Sequence, residues 1–120
     1  MVLVRIEPGS STPPFEQVRL GIAERVRRGE LVAGTKLPTV RALAAELGLA
    51  VNTVARAYRE LEADGVLETR GRHGTFIAES GDPSRDRAGR AAADYVALVR
   101  RLGLSDADAV ELVRLAQRSG

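Results

Sequence analysis

Two stretches of the chain carry side chains that are suited to binding nucleic acid. Residues 47–59 and residues 69–78 contain no aspartate or glutamate, but both contain arginine. Guanidinium groups bind phosphates and guanine edges, and an asparagine amide can bind an adenine edge. A local basic face is therefore expected, although the formal net charge of the chain is only +2. The candidate DNA contacts in these stretches are Val51, Asn52, Thr53, Arg56, Arg70, Gly71, Arg72 and His73.

Three of these residues also have an ordinary structural interpretation. Asn52 either binds adenine or hydrogen-bonds the backbone near a helix start. Val51 either touches a thymine methyl group or packs inside the motif. Arg56 either binds DNA or lies on a solvated face, in an ion pair that contributes little to stability. The sequence alone leaves these alternatives open.

The same inventory argues against catalysis and metal binding. The chain has no cysteine, and His73 is its single histidine. A lone imidazole makes a poor metal site. The sequence also contains neither a nucleophile with its base nor a phosphate-binding loop. We therefore expect no enzymatic activity, no metal ion and no cofactor.

Short helices are expected to position the first set of side chains. Thr39 is a good N-cap for a helix that Gly48 ends. A second helix is predicted over residues 51–64, where apolar residues recur at three- and four-residue spacing, and Gly65 ends it. Two short helices joined by a glycine-containing turn are typical of a helix-turn-helix. An earlier helix, predicted over residues 15–28, has an apolar stripe of its own.

The second set of side chains falls at the tip of a predicted β-hairpin. Residues 66–70 and 75–78 are short strand-like runs on either side of a glycine-bounded polar tip. A hairpin that directly follows a helix-turn-helix is a wing, and its arginines would reach the minor groove or the phosphates. The alternative is a plain hairpin tip exposed to solvent.

The two ends of the chain are predicted to add further elements. Residues 2–7 alternate in polarity and predict one short strand. Near the other end, Asp82 can cap a long helix and Pro83 can begin it. Ser105 and Asp108 have the spacing of a capping box, which predicts a last helix.

These elements predict a mainly α fold with a small β-hairpin wing, that is, a winged helix-turn-helix plus two C-terminal helices. We divide the chain into an N-terminal strand and linker (residues 1–13), a winged helix-turn-helix DNA-binding domain (residues 14–79) and a C-terminal helical dimerisation region (residues 80–120). No window of the sequence is long and apolar enough to span a membrane, and the N-terminus does not fit a secretory signal. A cytoplasmic location is therefore expected.

Several segments, in the same order and spacing, resemble the DNA-binding domain of the GntR family of transcription regulators. They are Pro14-Phe15-Glu16-Gln17-Val18, Gly29-Glu30-Leu31, Gly34-Thr35-Lys36-Leu37-Pro38-Thr39-Val40-Arg41-Ala42-Leu43-Ala44, Thr53-Val54-Ala55-Arg56-Ala57-Tyr58-Arg59-Glu60-Leu61-Glu62, Gly65-Val66-Leu67 and Gly74-Thr75-Phe76-Ile77. The resemblance runs from residue 14 to residue 78. Three features look like the YtrA-like subfamily: the short two-helix tail, the predicted N-terminal strand before Pro14 and the run from Asn52 to Tyr58. The 40 residues of the tail cannot form the effector-binding or aminotransferase-like domains of larger members.

The resemblance implies one more DNA-contacting element and shows two departures. Arg41 matches a family position that touches DNA, and Thr39, at the start of the same helix, is grouped with it as a candidate contact. The family usually has Ser, Thr or Asn where this chain has Ala50, and many members have Arg where it has Val51. The operator is therefore expected to differ from the family's common one.

The expected function is that of a sequence-specific DNA-binding transcription regulator, and the resemblance implies repression. One winged helix makes too few contacts for a specific site at physiological salt, whereas a homodimer on a pseudo-palindromic operator makes enough. The alternative is an architectural or protein-interaction winged helix without operator specificity. No group of residues indicates a small-molecule effector.

The tail is expected to form the homodimer. Its apolar faces have nothing obvious to cover within their own chain, and pairing with a second subunit would cover them. In the subfamily that the chain resembles, the C-terminal helices make the dimer. The candidate dimerisation residues are Ala91, Tyr95, Leu98, Val99, Leu102, Val110 and Val113.

Overall fold

A computed structural model describes residues 3–79 and 83–119, which form five α-helices and one two-stranded hairpin. The predicted class, a mainly α fold with a β-hairpin wing, is confirmed. The helices are α1 (Pro14–Arg27), α2 (Val40–Leu47), α3 (Val51–Ala63), α4 (Pro83–Arg101) and α5 (Asp106–Ser119), and the strands are β1 (Leu67–Thr69) and β2 (Thr75–Ile77).

The core lies where the first three helices meet the base of the hairpin. Helix α3 packs against both α1 and α2, and it turns its apolar stripe inward. Removing a large side chain from such a core costs about 2–5 kcal/mol of stability. The largest fully buried side chains are Val18, Ile22, Leu43, Val54, Leu61 and Ile77.

The predicted N-terminal strand is wrong for the part of it that the structure describes. Residues 3–7 form no strand, although Val4 is buried against Gly21 of α1. The side chain of Gln17 explains this, since its amide accepts from the N–H of Glu7 at 2.8 Å and donates to the carbonyl of Glu7 at 3.2 Å. A side chain therefore occupies backbone groups that a strand partner would use.

The helix-turn-helix is formed as predicted. The hydroxyl oxygen of Thr39 accepts from the N–H of Ala42 at 3.0 Å and so caps α2. Gly48 ends α2 in the left-handed conformation, with φ 69°, which glycine adopts at little cost. The hydroxyl of Tyr58 donates to the carbonyl of Pro38 at 2.7 Å and ties α3 to the segment before α2. Burial raises the pKa of Tyr58, so this hydroxyl remains a donor well into alkaline solution.

The wing has a third strand-like partner, which comes from the loop between α1 and α2. Strands β1 and β2 are antiparallel, and residues 34–37 pair with the other edge of β2. The N–H of Gly34 donates to the carbonyl of Ile77, and the N–H of Ile77 donates to the carbonyl of Thr35, both at 2.9 Å. Lys36 forms an isolated bridge with Phe76. The loop between α1 and α2 is therefore fixed to the wing.

The tail consists of two helices that pack against each other. Helix α4 begins at Pro83, as predicted, whereas the predicted cap Asp82 lies outside the described residues. The capping box at the start of α5 is confirmed: the Ser105 N–H donates to the Asp108 carboxylate at 3.1 Å, and the Asp108 N–H donates to the Ser105 hydroxyl at 3.0 Å. Among the described residues, no helix has the length and hydropathy needed to cross a membrane.

Helix α4 also approaches the loop between α1 and α2. A Cβ atom at Gly89 would lie 2.9 Å from the Cβ atom of Val32, and a Cβ atom at Gly34 would lie 3.0 Å from the side chain of Arg90. Only a residue without a side chain permits approaches this close. One loop therefore contacts both the wing and the tail.

Candidate nucleic-acid interface

The first turns of α3 present their outer face to solvent. Val54 and Leu61 are fully buried on the opposite face and fix the rotation of the helix. Val51 is 40% exposed and Asn52 is exposed, while Thr53 is half-buried. Val51 therefore lies outside the buried stripe of α3, which begins only at Val54, and its contact with a thymine methyl group stays a prediction.

Asn52 is available for an external partner. No side chain caps the start of α3, and within residues 3–79 and 83–119 no hydrogen bond engages the Asn52 amide. The alternative, in which this amide binds the local backbone, has no support in the geometry. An exposed amide in the first turn of the second helix of such a motif is suitably placed for a base edge, and its contact with adenine stays a prediction.

Arg56 is exposed but held in place by two neighbours. Its guanidinium carbon lies 3.6 Å from the centre of the Phe15 ring. Its Nε atom lies 3.5 Å from a carboxylate oxygen of Glu60, one turn further along α3. Both partners of this ion pair are about half exposed, so the pair contributes little to stability. The terminal nitrogens of Arg56 can still donate to a phosphate.

The start of α2 presents the two contacts that the family resemblance added. Thr39 and Arg41 are both exposed. The Thr39 oxygen accepts the capping hydrogen bond, and its hydroxyl hydrogen remains able to donate to DNA. No ion pair joins Arg41 to another residue of the described chain.

The wing tip is a single 3-10 turn, Gly71–His73, that presents Arg72 and His73 to solvent. Gly74 follows it with φ 111° and ψ −161°, a conformation that is essentially restricted to glycine. Arg70 is more occupied than the sequence suggested. Its Nε donates to the Glu68 carboxylate at 2.9 Å, and its guanidinium lies 4.3 Å from the centre of the Phe76 ring.

Sequence reasoning missed Lys36 as a candidate contact. Its Cε atom would lie 2.9 Å from a Cβ atom at Gly74, so its side chain runs along the wing beside the tip. The sequence contains a signal for Lys36, because residues 31–45 also contain no acid. Glu46 is the only acid between Glu30 and Glu60. The acid-poor part of the sequence is thus longer than residues 47–59 and 69–78.

The candidate dimerisation residues fall into two groups. The Tyr95 hydroxyl donates to the carbonyl of Ala109 at 2.8 Å, and Val99 is buried within its own chain. These two residues hold α4 and α5 of one chain together. Five others are exposed, and they leave the outer faces of the tail uncovered within the described chain. They are Ala91, Leu98, Leu102, Val110 and Val113.

The start of α3 can be stabilised by one substitution. Ala50 is the N-cap, with an extended backbone (φ −66°, ψ 145°) and no capping side chain. A serine there can accept a hydrogen bond from the first turn, so Ala50→Ser is expected to raise the free energy of unfolding by about 1 kcal/mol. Chemical denaturation measures this, with Ala63→Ser at the other end of α3 as the control that should gain nothing. An unchanged or lower midpoint for Ala50→Ser would contradict the prediction.

Comparison with known proteins identifies the family. The family described as "Bacterial regulatory proteins, gntR family" matches residues 14–77, which include α1, the helix-turn-helix and the hairpin. The chain belongs to the GntR family. Members of this family are DNA-binding transcription regulators rather than enzymes, which confirms the resemblance drawn from the sequence.

Two relatives place this GntR chain beside small regulators. It is 50% identical over 107 residues to the HTH-type transcriptional regulator Rv1152 of Mycobacterium tuberculosis, a match that covers 89% of this chain and 88% of the relative. It is 42% identical over 78 residues to the HTH-type transcriptional repressor YtrA of Bacillus subtilis, which covers 65% of this chain and 60% of the relative. The YtrA-like character expected from the sequence is thus confirmed.

One solved structure shows a similar domain on DNA. The DNA-binding domain of AraR, in complex with operator ORX1, matches with a TM-score of 0.55 and 28% identity. The match covers 61% of this chain and 90% of the AraR chain. The helix-turn-helix and wing of the present chain therefore share their architecture with a domain that binds an operator.

Proposed function

We propose that this GntR-family chain is a sequence-specific transcription repressor that binds a pseudo-palindromic operator as a homodimer. The observation that carries the proposal is the exposed start of α3, where the Asn52 amide is unengaged within the described chain and Arg56 is oriented by its neighbours. A helix that enters the major groove by its first turns brings such residues to base edges and phosphates. Its proposed partner is double-stranded DNA, and its proposed location is the cytoplasm.

Two further elements support the assignment of contacts. The start of α2 contributes Thr39 and Arg41, and the wing contributes Arg72 and His73, with Lys36 beside them. Backbone contacts from arginine and lysine set the position of a protein on the duplex, while base contacts set the sequence. We assign Asn52 to base recognition and the cations mainly to phosphates or to the minor groove.

The dimer is proposed from the uncovered faces of the tail. Within the described chain, Ala109 is the only buried residue of α5, and large apolar side chains of both tail helices are 43–50% exposed. Contiguous apolar surface of this kind is typical of an interaction site. A second copy of the chain would cover it symmetrically and would place two recognition helices on two half-sites.

Repression is proposed by analogy. The relative YtrA is named a repressor, and a protein that occupies a promoter can block transcription from it. An expression reporter under the chain's own upstream DNA tests this, because deletion of the gene should raise its output. A fall in output on deletion would indicate activation instead.

The DNA-binding proposal is tested by fluorescence anisotropy on the duplex upstream of the protein's own operon. We expect tight binding with a steep negative dependence on salt, and much weaker binding to a scrambled duplex of equal length. Equal, weak binding to both duplexes would favour an architectural role. Absence of binding at low salt would overturn the DNA-binding proposal and favour a protein-interaction module.

A further inference from the structure

Phe15, at the start of α1, contacts a cation rather than the core. It lies outside the hydrophobic cluster that α1, α2, α3 and the hairpin form, and it is only half-buried. One face of its ring is covered by the guanidinium of Arg56, whose central carbon is 3.6 Å from the ring centre. A phenylalanine that contributes mainly to packing would instead lie inside the cluster.

Glu60 restrains Arg56 from a second direction. One carboxylate oxygen of Glu60 is shielded from solvent and accepts no hydrogen bond from the described residues, and the Nε atom of Arg56 lies 3.5 Å from it. A carboxylate on a surface that binds DNA repels phosphate, so Glu60 alone would weaken binding. Glu60 offsets this cost if it orients the neighbouring arginine.

We propose that Phe15 and Glu60 are positioning residues that hold Arg56 in the orientation in which it binds a DNA phosphate. The ring supports the flat face of the guanidinium, and Glu60 engages the Nε edge. The two terminal nitrogens are left as a fork, which matches the geometry of a phosphate. Because the side chain is ordered before DNA arrives, less conformational entropy is lost on binding. This inference rests on the proposed DNA-binding function.

The test is a double-mutant cycle on the operator. Phe15→Leu is expected to weaken operator binding by about 10-fold for a dimer. It should also make the negative slope of log affinity against log salt less steep by about 1 for each subunit. The same change is expected for Arg56→Gln. In the Phe15→Leu and Arg56→Gln double variant we expect no loss beyond that of Arg56→Gln alone. Phe15→Tyr retains a ring face and should bind like the parent.

A second substitution is expected to change DNA affinity in opposite directions, depending on whether Glu60 positions Arg56 or is only a nearby negative charge. Glu60→Gln removes a negative charge, so it should strengthen DNA binding if Glu60 is only a nearby charge. If Glu60 positions Arg56, the same substitution should weaken binding and lower the salt slope. This outcome does not depend on whether Phe15→Leu folds, because it is measured on a different variant. The Glu60 side chain is half-exposed, so the substitution is expected to leave the fold intact.

Three results would overturn the inference while leaving the proposed function intact. They are additive losses in the double-mutant cycle, a salt slope that Phe15→Leu leaves unchanged, and tighter binding by Glu60→Gln. Thermal denaturation of each variant, with Leu20→Ala on the same helix as a control, identifies losses caused by unfolding. A parent protein without salt-dependent binding would instead refute the proposed function itself.

Discussion

The double variant Leu98→Glu and Val113→Glu is expected to be a folded monomer that has lost most of its operator affinity. Both side chains are exposed in the single chain, at 43% each, so glutamate costs the subunit little on its own. In a dimer that buries them, four carboxylates would be desolvated without partners, which is strongly unfavourable. Light scattering should show a mass that falls from twice the chain mass of 12.8 kDa to that mass itself.

Operator binding by this variant should weaken by at least about 100-fold, because the second half-site no longer benefits from a tethered partner. Leu20→Glu is the matched control, since Leu20 is 48% exposed but lies on α1, away from the tail. It should stay dimeric and bind normally. A double variant that remains dimeric would show that other surfaces hold the subunits together.

Asn52→Ala should have the largest effect on sequence recognition. An asparagine that binds adenine through two hydrogen bonds contributes about 1–3 kcal/mol of discrimination at its base pair. This corresponds to about 5- to 150-fold for each half-site. Because Asn52 is neutral and exposed, the substitution should leave the salt slope and the thermal stability unchanged. Binding to the operator and to single-base variants of it, measured by anisotropy, tests this.

Arg72→Ala is the comparison that separates base contacts from backbone contacts. Arg72 lies at the wing tip, and its loss should weaken binding to all duplexes similarly and reduce the salt slope by about 1 for each subunit. If Asn52→Ala shows that uniform pattern instead, base recognition lies elsewhere on α3. If it lowers thermal stability without changing specificity, the amide has a structural role.

The helical part of the fold was predictable because its signals are local. Thr39, Gly48 and the Ser105 and Asp108 pair act on the backbone within a few residues, so their types and spacing are enough to place helix ends. The rotation of α3 was also predictable, since its apolar stripe has to face the core. This is why the exposed position of Asn52 followed from the pattern.

The remaining features depend on contacts between residues that are distant in sequence. The alternation in residues 2–7 suggested a strand, but Gln17 binds the backbone of Glu7 instead. The pairing of Lys36 with the wing depends on an edge of β2 that no local pattern describes. Tyr95 lay on the apolar stripe assigned to dimerisation, and its hydroxyl in fact binds the carbonyl of Ala109. Periodicity identifies which face is apolar and does not identify what covers it.

The loop between α1 and α2 joins the wing, which is proposed to bind DNA, to α4, which is proposed to take part in dimerisation. Its residues pair with strand β2 at Gly34 and Thr35, and they contact α4 through Val32. In the proposed complex, operator binding and subunit association act on elements that share this loop. Such coupling is reciprocal: if subunit association increases operator affinity by some factor, the operator increases the association constant of the subunits by the same factor. For the proposed homodimer, the concentration at which the subunits associate is then lower on DNA than in free solution.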